Sequence, residues 1–391
     1  MNPHRVARLL QAAFFFSQLC FGLFAYLHPG IDLRSYYGAA LLARRGGNPY
    51  DYAQLAPVLK EISGFTGNSP YFNPPWYCLF FIPMTFLPFE IARVLWIILN
   101  LGLFYVSLEW LWEVIDWPVE RWFRWAAFTF ASILFGYACL VSENSGFVLL
   151  FGLALILRGI RRNWPILTGL GLILMLIKPQ ATLLMVLCLA LWLLRRKPTA
   201  VGWGAAWGAG LLGAATLAIP GWWYFDLTGF GQGLIYALNE PGKIAGQRVA
   251  ATVYDWLTYT FGVGGIPKFV IAAIFWLLGI ALVIWVWKRY ANPVYLAAAA
   301  LILTLLTTPY ALQYDYVPLT LPFLLTLKHL PGLKPPQRVA AILPLAASIF
   351  VLYLAKFQYQ ATWILLFVAI SFAIAVSRTS LNRSPVLPYP G

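Results

Sequence analysis

Five charged residues stand at the edges of apolar runs: Asp32, Glu143, Lys178, Arg248 and Asp315. An ion in such a place is costly to desolvate, so function is the first hypothesis for it. Asp32 lies in Gly30-Ile31-Asp32-Leu33-Arg34-Ser35-Tyr36-Tyr37. One carboxylate there suits a general base that takes a proton from an attacking hydroxyl. It suits equally well the N-cap of the helical run behind it. Glu143 belongs to the polar island Ser142-Glu143-Asn144-Ser145-Gly146, which reads first as a short hydrated hairpin between apolar helices. Lys178, in Ile177-Lys178-Pro179-Gln180, joins two apolar stretches with no polar spacer. Pro179 breaks the helix there and frees backbone carbonyls. Lys178 is then either a cation for an anionic headgroup or a side chain snorkelling from a helix end. Arg248, beside Gln247, has the planar fork that matches phosphate or carboxylate. A third polar island, Thr308-Pro309-Tyr310-Ala311-Leu312-Gln313-Tyr314-Asp315-Tyr316, carries Asp315 at a span end.

Two further clusters are aromatic turns. Gly46-Gly47-Asn48-Pro49-Tyr50-Asp51 reads as a helix stop followed by a turn. Tyr71-Phe72-Asn73-Pro74-Pro75-Trp76 leads into a short apolar piece. The four cysteines lie scattered in apolar runs and read as small buried hydrophobes. The three histidines are too dispersed for a metal cluster.

The elements that must hold these residues are membrane helices. Of 391 residues, 61% are hydrophobic and 10% charged, against about 25% charged in a soluble domain. Lipid is the missing solvent for so much apolar surface. A soluble enzyme, a disordered chain and a nucleic-acid module are excluded. Twelve or so apolar stretches are expected to span: 9–27, 89–112, 122–141, 147–157, 164–177, 181–194, 200–219, 269–287, 294–307, 316–327, 339–354 and 361–376. The first follows Arg5 and Arg8 and lacks a small-residue cleavage site, so it is expected to stay uncleaved. The whole chain, 1–391, reads as one membrane-embedded all-α domain.

The net charge of +14 comes from 27 Lys and Arg against 13 Asp and Glu. With the N-terminus inside, most of the cations fall in cytoplasmic loops, among them Arg158, Arg161, Arg162, Arg195, Arg196 and Lys197. Both termini are therefore expected in the cytoplasm of a multi-pass plasma-membrane protein. Residues 28–75 and 220–267 form two long outer loops, longer than hairpins need. Residues 76–88 are expected to be an interfacial or re-entrant helix, since a crossing there would invert every later loop. This topology brings Asp32, Glu143, Lys178, Arg248 and Asp315, from five separate segments, to one membrane face. A cavity open to the outer leaflet explains that, and no nucleic acid is involved.

In this order the islands resemble glycosyltransferase family 87, mannosyltransferases of the GT-C membrane type. The matching pieces are Asp32 with Tyr36-Tyr37, Gly47-Asn48-Pro49-Tyr50-Asp51, Tyr71 with Pro74-Pro75, the Glu143 island, Ile177-Lys178-Pro179, Thr308-Pro309 and Tyr314-Asp315. The resemblance implies a GT-C-like bundle that moves a sugar, usually mannose, from a polyprenyl phosphate to a lipid or glycan acceptor on the outer face. A phosphate leaving group departs as an anion and needs no general acid. One base suffices, and Asp32 is the candidate, with inversion following from direct attack. Lys178 and Arg248 are candidates to hold the donor phosphate. Tyr36, Tyr37, Asn48, Tyr50, Trp76, Glu143, Gln180, Gln247, Tyr310, Tyr314 and Asp315 are candidates to line the substrate groove. Lipid-linked donors of this kind can work without a metal or other cofactor, and no compact Asp-x-Asp pair demands one. Two alternatives share the lipid-phosphate chemistry: a flippase for a lipid-linked sugar, and an oligosaccharide ligase or polymerase. A flippase predicts polar residues near the bilayer midplane and pseudo-symmetric halves. No internal repeat is visible in the sequence.

Overall fold

The computed structural model describes residues 3–28, 30–67, 69–219, 243–244, 247–248, 252–354 and 360–376. The architecture is helical, apart from a two-residue antiparallel pairing of Lys243–Ile244 with Gln247–Arg248. Among the described residues, six helices are long and apolar enough to cross a membrane. They are α1 (Pro3–Leu27), α5 (Phe89–Ile115), α6 (Arg121–Val141), α9 (Pro179–Arg196), α10 (Pro198–Ala218) and α12 (Ile266–Arg289). Five other stretches expected to cross form shorter helices: α7 (Gly146–Arg162), α8 (Pro165–Met175), α13 (Pro293–Thr307), α14 (Thr320–His329) and α16 (Gln360–Val376), of 17, 11, 15, 10 and 17 residues. An 11-residue helix rises only about 16 Å, half of a hydrocarbon core about 30 Å thick. The set is completed by α11 (Val253–Thr260) and α15 (Pro335–Leu354).

Proline writes many of these boundaries. It occupies the first turn of α8, α9, α10, α12 and α13, where a missing N–H costs nothing. Between α1 and α5 the chain forms α2 (Asp32–Arg44), α3 (Tyr52–Ser63) and α4 (Pro75–Leu79), then a 3-10 turn at Ile82–Phe86. Asp51 caps α3, accepting from the Ala53 amide at 3.0 Å. Asp32 is not a cap: Ile31 occupies that position, and Asp32 is the first helical residue. The apolar piece from Pro75 to Phe86 is too short to cross as a helix. It is tied to α2 instead, by Tyr37 Oη donating to the Leu87 carbonyl (2.8 Å) and Arg44 donating to the Thr85 carbonyl (2.7 Å).

Glycines let the bundle close. A Cβ on Gly171 would meet the Gly152 carbonyl at 2.7 Å, and one on Gly169 would meet the Gly204 amide at 2.5 Å. Helices α7, α8 and α10 therefore pack backbone to backbone, as small residues allow in lipid. The charges segregate to two ends. At one end Glu113 pairs with Arg158 (3.0 Å) and Arg162, Lys328 donates to the Ile115 carbonyl (2.6 Å), and Lys197 donates to the Ile160 carbonyl (3.0 Å). Arg93, near the start of α5, lies 20 residues from Glu113, about 30 Å along the helix. At that other end lie Asp32, Glu143, Lys178 and Asp315.

Gly146 is among the closest approaches. A Cβ there would meet the Tyr314 carbonyl, the Cys139 sulfur at 2.9 Å and Val317 at 3.0 Å. Gly146→Ala is expected to destabilise the protein by about 1–3 kcal/mol through overpacking. Gly202→Ala, with no atom within 4 Å of the added Cβ, should leave stability unchanged or raise it. Thermal unfolding in detergent checks the contrast.

Candidate active site

The site is built around the hairpin between α6 and α7. Glu143 sits at its tip with φ of 54°, a left-handed conformation rare for a residue with a side chain. What holds it there is a set of buried contacts. Arg93 Nε donates to Glu143 Oε1 at 2.9 Å, and both side chains are almost wholly buried, 3% and 0% exposed. The same guanidinium donates to Glu90 (2.8 Å) and to the carbonyls of Ala25 (3.3 Å) and Tyr26 (3.1 Å). Trp96 Nε1 donates to the Glu143 carbonyl at 2.9 Å. One arginine thus ties the end of α1 and the start of α5 to the hairpin. Burial pushes the Glu143 carboxyl up to about 6, against the opposing pull of Arg93 and Arg34.

The hairpin in turn holds Asp32. Asn144 Nδ2 donates to Asp32 Oδ2 at 2.7 Å, and to the Tyr36 hydroxyl at 3.3 Å. The other face of the Asn144 amide accepts from the Gly146 amide at 3.2 Å, which fixes which way it points. Gly30 makes the approach possible, since a Cβ there would meet the Ser142 backbone at 2.5 Å. Asp32 is half-buried, and among the described residues its Oδ1 has no hydrogen-bond partner. Burial raises its pKa, while Lys178 and the Asn144 hydrogen bond pull it back down.

Across from Asp32 lies a second pair. Lys178 Nζ donates to Asp315 Oδ1 at 2.7 Å and sits 4.3 Å from the centre of the Tyr314 ring. Asp315 Oδ2 accepts from the Leu312 amide at 2.9 Å, which starts the 3-10 turn Gln313–Leu319. Lys178 is 6% exposed and Asp315 1%, so Lys178 is no snorkelling side chain. Pro179 leaves Lys178 just outside α9, with φ of −129°, which turns it inward. Asp32, Lys178 and Asp315 lie in one another's electrostatic field. Burial and the Asp32 charge push the hydroxyls of Tyr36 and Tyr314 well above the ordinary tyrosine range.

The remaining candidates distribute as follows. Tyr36 faces the site, packed edge-on against Tyr77 at 5.3 Å. Tyr310 lies beside Tyr314, and Gln180 lines a shallow crevice with Thr304, Thr307 and Thr308. Tyr37 turns away: it packs on Phe89 at 5.2 Å and bonds the Leu87 carbonyl. Asn48 lies past the far end of α2, its side-chain Oδ1 accepting from the Tyr50 amide at 2.9 Å. Tyr50 donates to the Asn73 carbonyl at 2.6 Å and braces the 71–74 turn. Trp76 is buried against Tyr77 and Phe80. The Asn48 Nδ2 is buried with no hydrogen-bond partner among the described residues. Gln247 and Arg248 fall where only the backbone pairing is described. Among the described residues no group of three His, Cys, Asp or Glu is placed to hold a metal.

Three contributors were not singled out from the sequence: Arg93, Asn144 and Arg34. Arg93 carried a signal, a cation inside an apolar helix, where charges demand partners. Asn144 carried none beyond its neighbour Glu143.

A helical bundle with six membrane-length helices and a buried, charge-paired site at one end is a multi-pass membrane protein. The model of glycosyltransferase family 87 matches residues 71–309, more than half of the chain. The chain belongs to that family and is a membrane glycosyltransferase. The matched stretch holds Arg93, Glu143, Asn144 and Lys178; Asp32 precedes it and Asp315 follows it. No curated protein and no solved structure matches the chain.

Arg93→Met would leave Glu143 buried without its partner. Breaking a buried pair this way costs about 3–5 kcal/mol. The variant should show a correspondingly lower unfolding temperature in detergent; a change of less than about 1 kcal/mol would refute the anchoring role.

Proposed function

We propose that the protein transfers a sugar, mannose in the family resemblance, from a polyprenyl phosphate to a hydroxyl of a lipid or glycan acceptor, with inversion at the anomeric carbon. The observation that carries this reading is the Asp32 carboxylate, pinned through Oδ2 by Asn144 with Oδ1 open. The acceptor oxygen attacks the anomeric carbon and its proton passes to Asp32 Oδ1. The bond from that carbon to the phosphate oxygen breaks, and the electron pair leaves on the phosphate. A single displacement inverts the centre, and the phosphate anion needs no acid. The raised pKa of Asp32 makes its carboxylate a stronger base than an exposed aspartate.

Lys178 serves this base. Set beside Asp315 and in the field of Asp32, it favours the ionised form of Asp32 against the burial that opposes it. The site faces the outside and both termini the cytoplasm in this reading. The clustering of Arg158, Arg161, Arg162 and Lys197 at the opposite end supports it. About twelve crossings of the GT-C type remain our reading. A site recessed from the outer surface lets short helices such as α8 run from the basic end to Lys178. The reaction requires no metal in this scheme.

Asp32→Asn is expected to lower transfer at least about 100-fold, the contribution of a general base, while leaving the protein folded. Purified protein is incubated with polyprenyl-phosphate mannose, and glycosylated lipid is followed by mass spectrometry. Full activity in the variant would remove Asp32 as the base.

Lys178→Ala makes a separate prediction. Lys178 lowers the Asp32 pKa, so its loss raises it. The base must be deprotonated to act, so the acid limb of the pH–rate profile should move to higher pH. An unmoved limb would separate Lys178 from Asp32.

A further inference from the structure

Given that the donor carries a lipid phosphate, the cation that receives it can be sought among the residues at this end of the bundle. Arg93 is fully engaged by Glu143, Glu90 and two carbonyls. Arg44 donates to the Thr85 carbonyl and stacks over Phe86 at 4.6 Å. Arg45 is paired with Glu61 at 2.7 Å on the surface. Lys178 is held by Asp315 at 2.7 Å and shares its surroundings with Asp32. Two carboxylates around one ammonium leave that side of the site net negative, a poor place for a phosphate.

Arg34 is different. It lies two residues after Asp32 on the first turn of α2. Its guanidinium rests 5.4 Å from the centre of the Phe65 ring, and its Nε is buried without a hydrogen-bond partner among the described residues. The carboxylates that face it, Glu143 and Glu90, are both already paired with Arg93. Its donors are therefore available, and a planar fork of N–H groups is the geometry that grips phosphate oxygens in pairs.

Its position also satisfies the stereochemistry. Residues two apart on a helix point to different flanks. Asp32 points to Asn144, and Arg34 to the side of Phe65 and Glu143. Direct displacement requires the attacking hydroxyl and the departing phosphate on opposite sides of the anomeric carbon. One helical turn offers a base on one flank and a guanidinium on the other. We propose that Arg34 binds the phosphate of the lipid-linked donor, with the sugar lying across the start of α2 between Arg34 and Asp32. This assignment rests on the transferase reading above and replaces Lys178 as the phosphate ligand.

The test measures binding without turnover. Full-length protein in nanodiscs is titrated with a sugar-free, short-chain polyprenyl phosphate, and in a parallel arm with inorganic phosphate. The wild-type protein should bind the polyprenyl phosphate and be far weaker for inorganic phosphate. Arg34→Ala should weaken lipid-phosphate binding about 10- to 100-fold, the range for hydrogen bonds to a charged group. Arg34→Lys should fall between the two. Arg45→Ala, which removes a cation outside the site, should bind as wild type. Unchanged binding in Arg34→Ala overturns the assignment. So does equal weakening in Arg45→Ala, which would reveal only surface charge, or equal binding of inorganic phosphate, which would reveal a general anion site. If the wild-type protein binds no polyprenyl phosphate, the donor reading itself falls, and this assignment with it. If it binds and Arg34→Ala binds equally, only the assignment falls.

Discussion

The buried ion pair between Arg93 and Glu143 is the constraint on which the site depends. A carboxylate at a hairpin tip inside a bundle must be hydrogen-bonded or it destabilises the fold. The sequence answers with an arginine four residues into α5, whose guanidinium reaches Glu143, Glu90 and two carbonyls at the end of α1. The hairpin is thereby fixed against two helices, in a left-handed conformation it would otherwise avoid. Asn144 follows directly, and its amide reaches Asp32 on a third element. The position of the Asp32 carboxylate is thus set through Asn144, whose neighbour Glu143 is held by the ion pair.

The same end of the molecule shows how charge is apportioned in a low-dielectric setting. Glu143, Asp32 and Asp315 each have a cation or an amide, yet the partners are not equivalent. Glu143 is bonded through Oε1 to a guanidinium that is itself fully engaged. Asp315 and Asp32 flank a single lysine, which leaves that region negative and favours a basic carboxylate. The Asp32 carboxylate, with Lys178 and Asp315 around it, lies on one flank of the α2 start. Positive charge with open donors lies on the other, at Arg34.

Much of this was legible in the sequence. Lys178 before Pro179, with no polar spacer, identifies a buried cation, and the structure gives it Asp315 from a segment 137 residues away. The polar islands mark the ends of helices, and those ends do meet. The number of crossings is less legible, because hydropathy registers apolar length without depth: among the described residues six helices are of membrane length, and α8 is as apolar as a crossing and half as long. Tyr37, Asn48, Tyr50 and Trp76 have the right chemistry for a sugar groove. The Tyr37 and Tyr50 hydroxyls are instead given to nearby backbone carbonyls, the Asn48 side-chain oxygen accepts from the Tyr50 amide, and Trp76 packs against neighbouring aromatics.

Composition and spacing alone determined that this is a helical membrane protein with its unusual charges at helix ends, because lipid tolerates little else. Which of those charges pair was decided only by the folded chain. Arg93 signals only that it needs a partner, and Asn144 looks ordinary beside its neighbours until Gly30 and Gly146 bring the hairpin against the segments bearing Asp32 and Asp315. The reason is physical. Desolvation acts on each residue where it stands in the sequence, whereas an ion pair needs two groups within about 3 Å, and that separation is set by packing between segments far apart in the chain.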